Sequence, residues 1–478
     1  MAERQHYNAT LAVLIVAGLA YALQQTMVVP ALPALQGDLG TTTGWSTWLL
    51  SAFLLSASVC TPILGKLGDQ YGKERLLMVS LLVFLAGCIG AAAAWNIWSL
   101  IGFRALQGAA GAIFPLAFSI IRDEFPRERV GVAIGMVSAV FGVGASVGLI
   151  LSGVIVDNAS WRWIFVIGAI PVAVAAVLVH FFVPESPFKT RTRVDFVGAA
   201  LLSAGLVSLL VALTEGHSWG WTSARTLGLF SAAAILLVAW GLAELRVPEP
   251  MVDMRMLAHR PILLTNTTAL IAGFSMYSAF ILVTAFVQTP RHLSQPLARL
   301  VDYGFDATAT RAGLYLAPGA FLMLAAGPIS GLLGRHFGFK WPLALGMLLI
   351  GVGAGTLAAF HSEPWQILLA MIALNPGVAL AFAAMSTLIT QEVRVSETGV
   401  ANAMNSVLRT VGGVVGAQVA ATILTVHNIV GTTVPAEAGY TDAFALFSVA
   451  ALVGTVTALL VTPRVPEAPA VAVEAEQI

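Results

Sequence analysis

Apolar residues run along this chain in long, nearly unbroken stretches, and short segments between them carry most of the charges. A helix needs about 20 apolar residues to cross the hydrocarbon of a bilayer. Fourteen stretches meet that length. They begin near Ala9, Ser46, Leu76, Trp98, Gly131, Trp161, Phe196, Thr226, Ile262, Thr310, Trp341, Pro364, Thr398 and Thr441, and the last ends near Thr462. They are rich in Ala, Leu and Gly and do not alternate in short segments, so the pattern predicts helices and argues against a membrane β-barrel. The first run, from about Leu11, is too long for a signal-peptide core and has no clear cleavage site after it, so it reads as a retained span.

Composition sharpens this picture. Hydrophobic residues make up 58% of the chain and charged residues 10%, whereas soluble domains carry about 25% charged residues. So few charges cannot cover a soluble surface of this size, and the solvent for most of it is the lipid bilayer. Net charge is zero, which implies no nucleic-acid partner. Cys60 and Cys88 fall inside apolar runs, so no disulfide framework or metal site is expected. No cofactor is expected either. Most of the 24 Lys and Arg fall on one side if the amino terminus is cytoplasmic, which predicts both termini inside a cell (inner or plasma) membrane. Trp45, Trp95, Trp98, Trp161, Trp163, Trp219, Trp221, Trp341 and Trp365 sit at expected span edges, where amphipathic rings anchor.

The chain repeats itself. Gly65-Lys-Leu-Gly-Asp-Gln-Tyr-Gly-Lys73 follows span 2, and Gly331-Leu-Leu-Gly-Arg-His-Phe-Gly-Phe339 follows span 10. Gly65, Leu67, Gly68 and Gly72 match Gly331, Leu333, Gly334 and Gly338, on the same side of the membrane. Pairing span 2 with span 10 requires two six-helix units with two extra helices between them. The expected divisions are 1–183 for spans 1–6, 184–258 for the extra pair, 259–463 for spans 9–14, and 464–478 for a disordered cytoplasmic tail. Parallel halves around a central site suit alternating access.

At this point the motifs resemble the major facilitator superfamily, and most of all its 14-spanner drug:proton antiporter family, the EmrB/QacA type. The loop Gly65-x-Leu67-x-Asp69-x-x-Gly72-Lys73-x-Arg75 is similar to that family's cytoplasmic gate motif, with Gln70 where the family has Arg. There Asp69 could meet a helix N-terminus or a basic residue across the two halves and hold the outward-facing state closed inside; the plain alternative is a solvated glycine turn. Arg104, Gln107, Gly108 and Gly111 share one face of span 4, and the resemblance implicates Arg104 in proton coupling. An arginine at mid-membrane faces a cavity or a partner. Gly144, Gly148, Ser152 and Gly153 form a small-residue packing face on span 5 that lacks the family's prolines. Trp161-Arg-Trp-Ile-Phe165, opening span 6, carries the 14-spanner likeness and reads as an interfacial anchor. Asn402, Asn405, Arg409, Gly412 and Gly416 share a face of span 13, lining a cavity or bonding to a neighbouring helix.

One departure bears on chemistry. Gln24 stands where the family has an acidic residue in span 1, and no Asp or Glu falls in the middle of an expected span. Buried arginines without buried carboxylates disfavour dications and suit neutral or anionic amphipathic molecules. The proton carrier is then open among Arg104, Asp69, Glu215 and His180. The expected cavity residues are Gln24, Gln25, Arg104, Asn266, Tyr277, Tyr315, Asn375, Asn405 and Arg409. The loop from Gln288 to Ala309, with Pro290, Pro296, Asp302, Tyr303 and Asp306, is a surface loop or a lid. The expectation is a monomeric, proton-driven exporter of small amphipathic drugs or natural products. The alternative is an uncoupled facilitator or importer of a small metabolite on the same scaffold. With no Walker loop and eight scattered histidines, an enzyme is not expected.

Overall fold

The computed structural model describes residues 7–41, 43–186, 195–290, 301, 303–429, 432 and 434–462. The tail over 464–478, Arg4, the basic segment Lys189, Arg191 and Arg193, and the loop residues Arg291, Pro296, Arg299 and Asp302 lie outside them. Fourteen helices among the described residues are long and apolar enough to cross a membrane: Tyr7–Leu32, Trp48–Tyr71, Lys73–Ala92, Ile97–Glu124, Arg127–Asn158, Arg162–Phe182, Phe196–Trp219, Ala224–Glu244, Arg260–Gln288, Thr310–Phe337, Lys340–Ala359, Pro364–Glu392, Val395–Val426 and Glu437–Leu459. They are spans 1–14 in that order. Helices form because hydrocarbon offers backbone N–H and C=O groups no partner outside the segment itself. The side on which span 1 begins is called proximal and the other distal.

Two spans are interrupted, each just before a proline. Span 1 is helical over Tyr7–Thr26 and again over Val28–Leu39, where Pro30 cannot donate back to Thr26. Span 4 breaks between Ile97–Gly108 and Ile113–Glu124. Pro115 cannot donate to Gly111, and the chain tightens into three-residue turns: Ala110 N–H to the Gln107 carbonyl at 3.1 Å, Gly111 to Gly108 at 2.9 Å, and Ile113 to Ala110 at 3.3 Å. Arg104, Gln107 and Gly108 therefore share a helix face, whereas Gly111 lies beyond the break.

Helix packing repeats along the chain. Span 1 packs on 5 and 6, span 2 on 4, and span 3 on 4 and 6. Span 9 likewise packs on 13 and 14, span 10 on 12, and span 11 on 12 and 14. Spans 1–6 and spans 9–14 meet along two seams, span 5 on span 10 and span 2 on span 13. Span 8 packs chiefly on span 7, and span 7 bridges spans 2 and 13.

The two seams differ. Spans 5 and 10 touch along their length through Gly131 on Gly331, Gly135 on Gly327, Gly142 on Met323 and Gly153 on Thr310. At Gly135 an added Cβ would overlap the Gly327 carbonyl, a backbone contact that no rotamer change relieves. Gly135→Leu is therefore expected to destabilise the protein by about 3 kcal/mol, read as a lowered melting temperature of detergent-purified protein. An unchanged melting temperature would contradict a backbone-to-backbone seam. Gly144 and Gly148, by contrast, face span 1, at Ala22 and at Thr26 and Leu23, and Ser152 donates to the Met27 carbonyl.

Trp161 corrects the interfacial-anchor expectation. It is buried, its indole N–H donates to Asp38 at 2.9 Å, and Arg162 lies over its ring. A hydrogen-bond acceptor in the segment after span 1 holds it inside. Trp95, Trp98, Trp163, Trp341 and Trp365 are exposed, as rings at a lipid interface would be.

Candidate functional site

A cavity of about 40 Å³ lies where spans 1, 2, 4, 5, 9 and 13 converge. Its polar lining comes from Tyr21, Gln25, Ser58, Thr61, Tyr277, Ser406, Arg409 and Thr410, with Phe114 and Phe141 among its apolar walls. Three of its residues, Leu54, Tyr277 and Thr410, also line a larger space of about 250 Å³ toward the distal side. Among the described residues, no acidic residue lines either space. The Arg409 guanidinium stacks on Phe382, 4.2 Å from the ring centroid, and its one hydrogen bond is a long 3.4 Å contact to Ser406. A positive charge so placed, without a counter-ion, favours an anion or a strong acceptor entering the cavity.

Of the residues expected at the cavity, Gln25, Tyr277 and Arg409 line it. The others are engaged elsewhere. Arg104 is fully buried among spans 1, 2 and 4. It donates to the Leu49 carbonyl at 3.1 Å, the Gln24 carbonyl at 3.4 Å and Gln107 Oε1 at 2.6 Å, and lies over Phe53. Its Nη2 makes no hydrogen bond. Gln24 turns toward span 6, with Cys88 as its partner at 3.6 Å. Asn405 donates to Asn266 at 3.0 Å and Asn402 to Thr390 at 3.0 Å, so this stripe of span 13 bonds to neighbouring helices. Burial against spans 9 and 12 favours these amide N–H bonds, although Asn402 Oδ1 has no partner; of this stripe, Arg409 reaches the cavity. Asn375 donates to the Leu316 carbonyl at 3.2 Å, and Tyr315 stacks on Phe305.

Arg104→Ala removes a buried three-way clasp between spans. A melting temperature lowered by several degrees is expected together with loss of transport, and unchanged stability would contradict the clasp.

The proximal ends of spans 2 and 13 close on each other. Gly65 and Gly399 touch backbone to backbone: a Cβ on Gly65 would sit 2.8 Å from the Gly399 carbonyl oxygen, and one on Gly399 would sit 2.6 Å from that of Gly65. One turn on, Asp69 accepts from the backbone N–H groups of Gly399, at 3.1 and 3.2 Å, and of Val400, at 3.2 Å, at the start of the span 13 helix. A carboxylate is favoured there because the first N–H groups of a helix lack partners and carry its positive dipole end. Lys73 pairs with Asp123 at 2.6 Å and lies 3.9 Å from Asp69. Arg122 donates to the Val393 carbonyl at 2.7 Å, to the Arg394 carbonyl at 3.1 Å and to Thr398 at 2.5 Å. Arg75, largely exposed, pairs with Glu185 at 3.3 Å.

The repeat shows at this seam and then diverges. Gly72 and Gly338 both take positive φ, 121° and 88°, at equivalent turns. Gly131 on Gly331 mirrors Gly399 on Gly65. Yet Asp69 is answered by Arg335, which is exposed. The helix-capping carboxylate therefore exists on one seam only. Glu215 sits apart from both the gate and the cavity, accepting from Ser218 at 2.6 Å. Gly108 and Gly111 seat span 4 on span 2, at Phe53 and at Ala57 and Thr61.

Sequence reasoning missed Tyr21, Ser58, Thr61, Ser406 and Thr410 in the cavity and Asp123 and Arg122 at the seam. Tyr21 lies one helical turn before Gln25, and Ser406 and Thr410 flank Arg409 at steps of three and one, so local spacing could have found them. Asp123 meets Lys73 across 50 residues of sequence, which spacing cannot show.

A family model described as Major Facilitator Superfamily matches residues 14–417 and 296–477. The chain belongs to the major facilitator superfamily. It is a multi-pass membrane transporter rather than an enzyme, all-helical, with 14 candidate spans. Among its relatives is the tetracenomycin C resistance and export protein of Streptomyces glaucescens, 26% identical over 408 residues, covering 83% of this chain and 72% of that one. Multidrug resistance protein 3 of Bacillus subtilis (strain 168) is 29% identical over 409 residues, covering 84% and 77%. The human organic anion transporter MFSD10 (TETRAN) shares the fold, with a TM-score of 0.66 at 15% identity over 96% of this chain and 100% of that one.

Proposed function

We propose that this major facilitator transporter is a proton-coupled exporter of small amphipathic compounds, neutral or anionic rather than dicationic, of the 14-spanner EmrB/QacA type. In this reading two six-helix halves, 1–183 and 259–463, rock about the Arg409 cavity as a monomer. The segment 184–258 carries the extra pair. The proximal side is the cytoplasm of a cell whose plasma membrane holds the protein, so the geometry corresponds to an outward-facing or occluded state closed inside. The observation that carries the reading is a cavity between the halves whose one charged lining group, Arg409, has no acidic partner, above a seam sealed by Asp69. Relatives named for antibiotic and multidrug resistance support export as the direction. Of the groups considered for the proton, Asp69 is the carboxylate that joins the halves. Protonation there would release the span 13 helix and let the inner side open, whereas Glu215 is remote from any contact between the halves.

Everted vesicles test this directly. Uptake of anionic and neutral dyes is expected to need an inward-acidic gradient and to stop when an uncoupler collapses it. Uptake that ignores the gradient would favour the second reading, an uncoupled facilitator or importer of a small metabolite. That reading draws on the absence of any carboxylate lining the two spaces among the described residues.

A further inference from the structure

Span 2 and span 13 touch at Gly65 and Gly399 and then part toward the distal side. The space that opens between them, about 250 Å³, is closed on its outer flank by Leu210, Val211 and Thr214 of span 7. Its other walls include Trp48, Leu55 and Val414, and it carries no charged side chain. The opposite seam has no counterpart to it, because spans 5 and 10 stay in glycine contact from Gly131 to Gly153. Span 7 belongs to the extra pair and packs on both span 2 and span 13, so this wall is supplied by helices outside the repeat.

The space adjoins the polar cavity across shared residues. Leu54, Tyr277 and Thr410 line both. The Tyr277 ring packs closely on span 13 because residue 413 is glycine; a Cβ there would come within 2.5 Å of the ring. The polar cavity is therefore cationic and hydrogen-bonding, and the space beside it is apolar and partly aromatic. An apolar cavity of about 150 Å³ takes one benzene ring, so the larger space has room for more than one ring. A lone apolar groove would name no occupant. A groove joined to an unpaired arginine names an amphipathic anion with an extended ring system.

We propose that the space between the distal halves of spans 2 and 13, walled by span 7, is an apolar subsite that seats the fused-ring body of an aromatic anion whose acidic group pairs with Arg409. It rests on the export reading above and adds the role of the extra helix pair: span 7 sets how large a ring system the transporter accepts. Val211 and Val414, on opposite walls, determine that size.

The test uses the full-length protein in liposomes with two anionic probes, salicylate with one ring and fluorescein with a fused three-ring body. Val211→Trp fills the subsite from span 7 and Val414→Trp fills it from span 13; Ile235→Trp, on the exposed face of span 8, is the control. Fluorescein transport is expected to fall about tenfold or more in Val211→Trp and Val414→Trp, while salicylate transport and the control hold at the unmodified rate. Equal loss of both probes in a folded variant, or loss of neither, overturns the subsite, and loss of neither leaves the space to bilayer lipid. Arg409→Ala separates the two levels: it is expected to reduce both probes, and no effect on either overturns the cavity reading itself. Failure of the unmodified protein to move either probe overturns the anion-export reading and the subsite with it.

Discussion

Arg409→Ala is expected to weaken binding and export of an anionic substrate by about ten- to a hundredfold, the loss of one charge-assisted hydrogen-bonding group worth about 1.5–3 kcal/mol. The protein should still fold. Arg409 makes a single long hydrogen bond to Ser406 and stacks on Phe382, so its removal leaves little of the structure unsupported. Arg409→Lys keeps the charge but not the planar fork, and an intermediate loss is expected. A neutral substrate should be affected less than an anionic one, because only the latter gives up Coulomb attraction. The measurement is dye export from liposomes alongside a melting curve. Equal export of anionic dyes by the alanine variant would remove Arg409 from the site. This separates Arg409 from Arg104, for which export and stability should fall together, since Arg104 clasps three spans and lines neither space.

The second large effect lies at the seam between spans 2 and 13. Asp69→Asn keeps the shape of the side chain but removes the charge that faces the helix N-terminus at Gly399 and Val400. A partly buried charge at a helix end contributes up to about 2 kcal/mol, so the balance between inward-closed and inward-open states should shift by about thirtyfold. The variant also frees Lys73 to pair with Asp123 alone, a contact already in place at 2.6 Å, so collapse of the turn is not expected. A single cysteine at Ser51, in a chain with Cys60 and Cys88 replaced, reports the state. Labelling from the distal side by an impermeant maleimide should slow at least about tenfold in Asp69→Asn, because the distal space closes as the proximal seam opens. Unchanged labelling would mean that Asp69 does not hold the closed seam.

Repeat symmetry explains why one substitution should act so strongly. The two seams carry equivalent glycine contacts, Gly65 on Gly399 and Gly331 on Gly131. Among the described residues, the seam of spans 2 and 13 is the one reinforced by a capping carboxylate, and it opens into the space of about 250 Å³. The other is in glycine contact along its length, from Gly131 to Gly153.

The sequence by itself determined the number of spans, their helical state and the repeat. Each follows from local physics: hydrocarbon leaves backbone groups no outside partner, and a tight turn needs glycine at Gly72 and Gly338. It also marked Asp69, Gln25, Tyr277 and Arg409, whose types stand out against an apolar background. What it could not separate was which conspicuous polar residue faces a cavity and which faces a helix. Asn402, Asn405, Asn375 and Arg104 carry the same local signal as Arg409, yet each donates a hydrogen bond to a neighbouring helix. Only the tertiary structure decided this. Burial and hydrogen-bond pairing depend on the neighbouring helix, and that neighbour comes from a stretch of chain tens to hundreds of residues away, as with Asp123 beside Lys73 or span 7 beside spans 2 and 13.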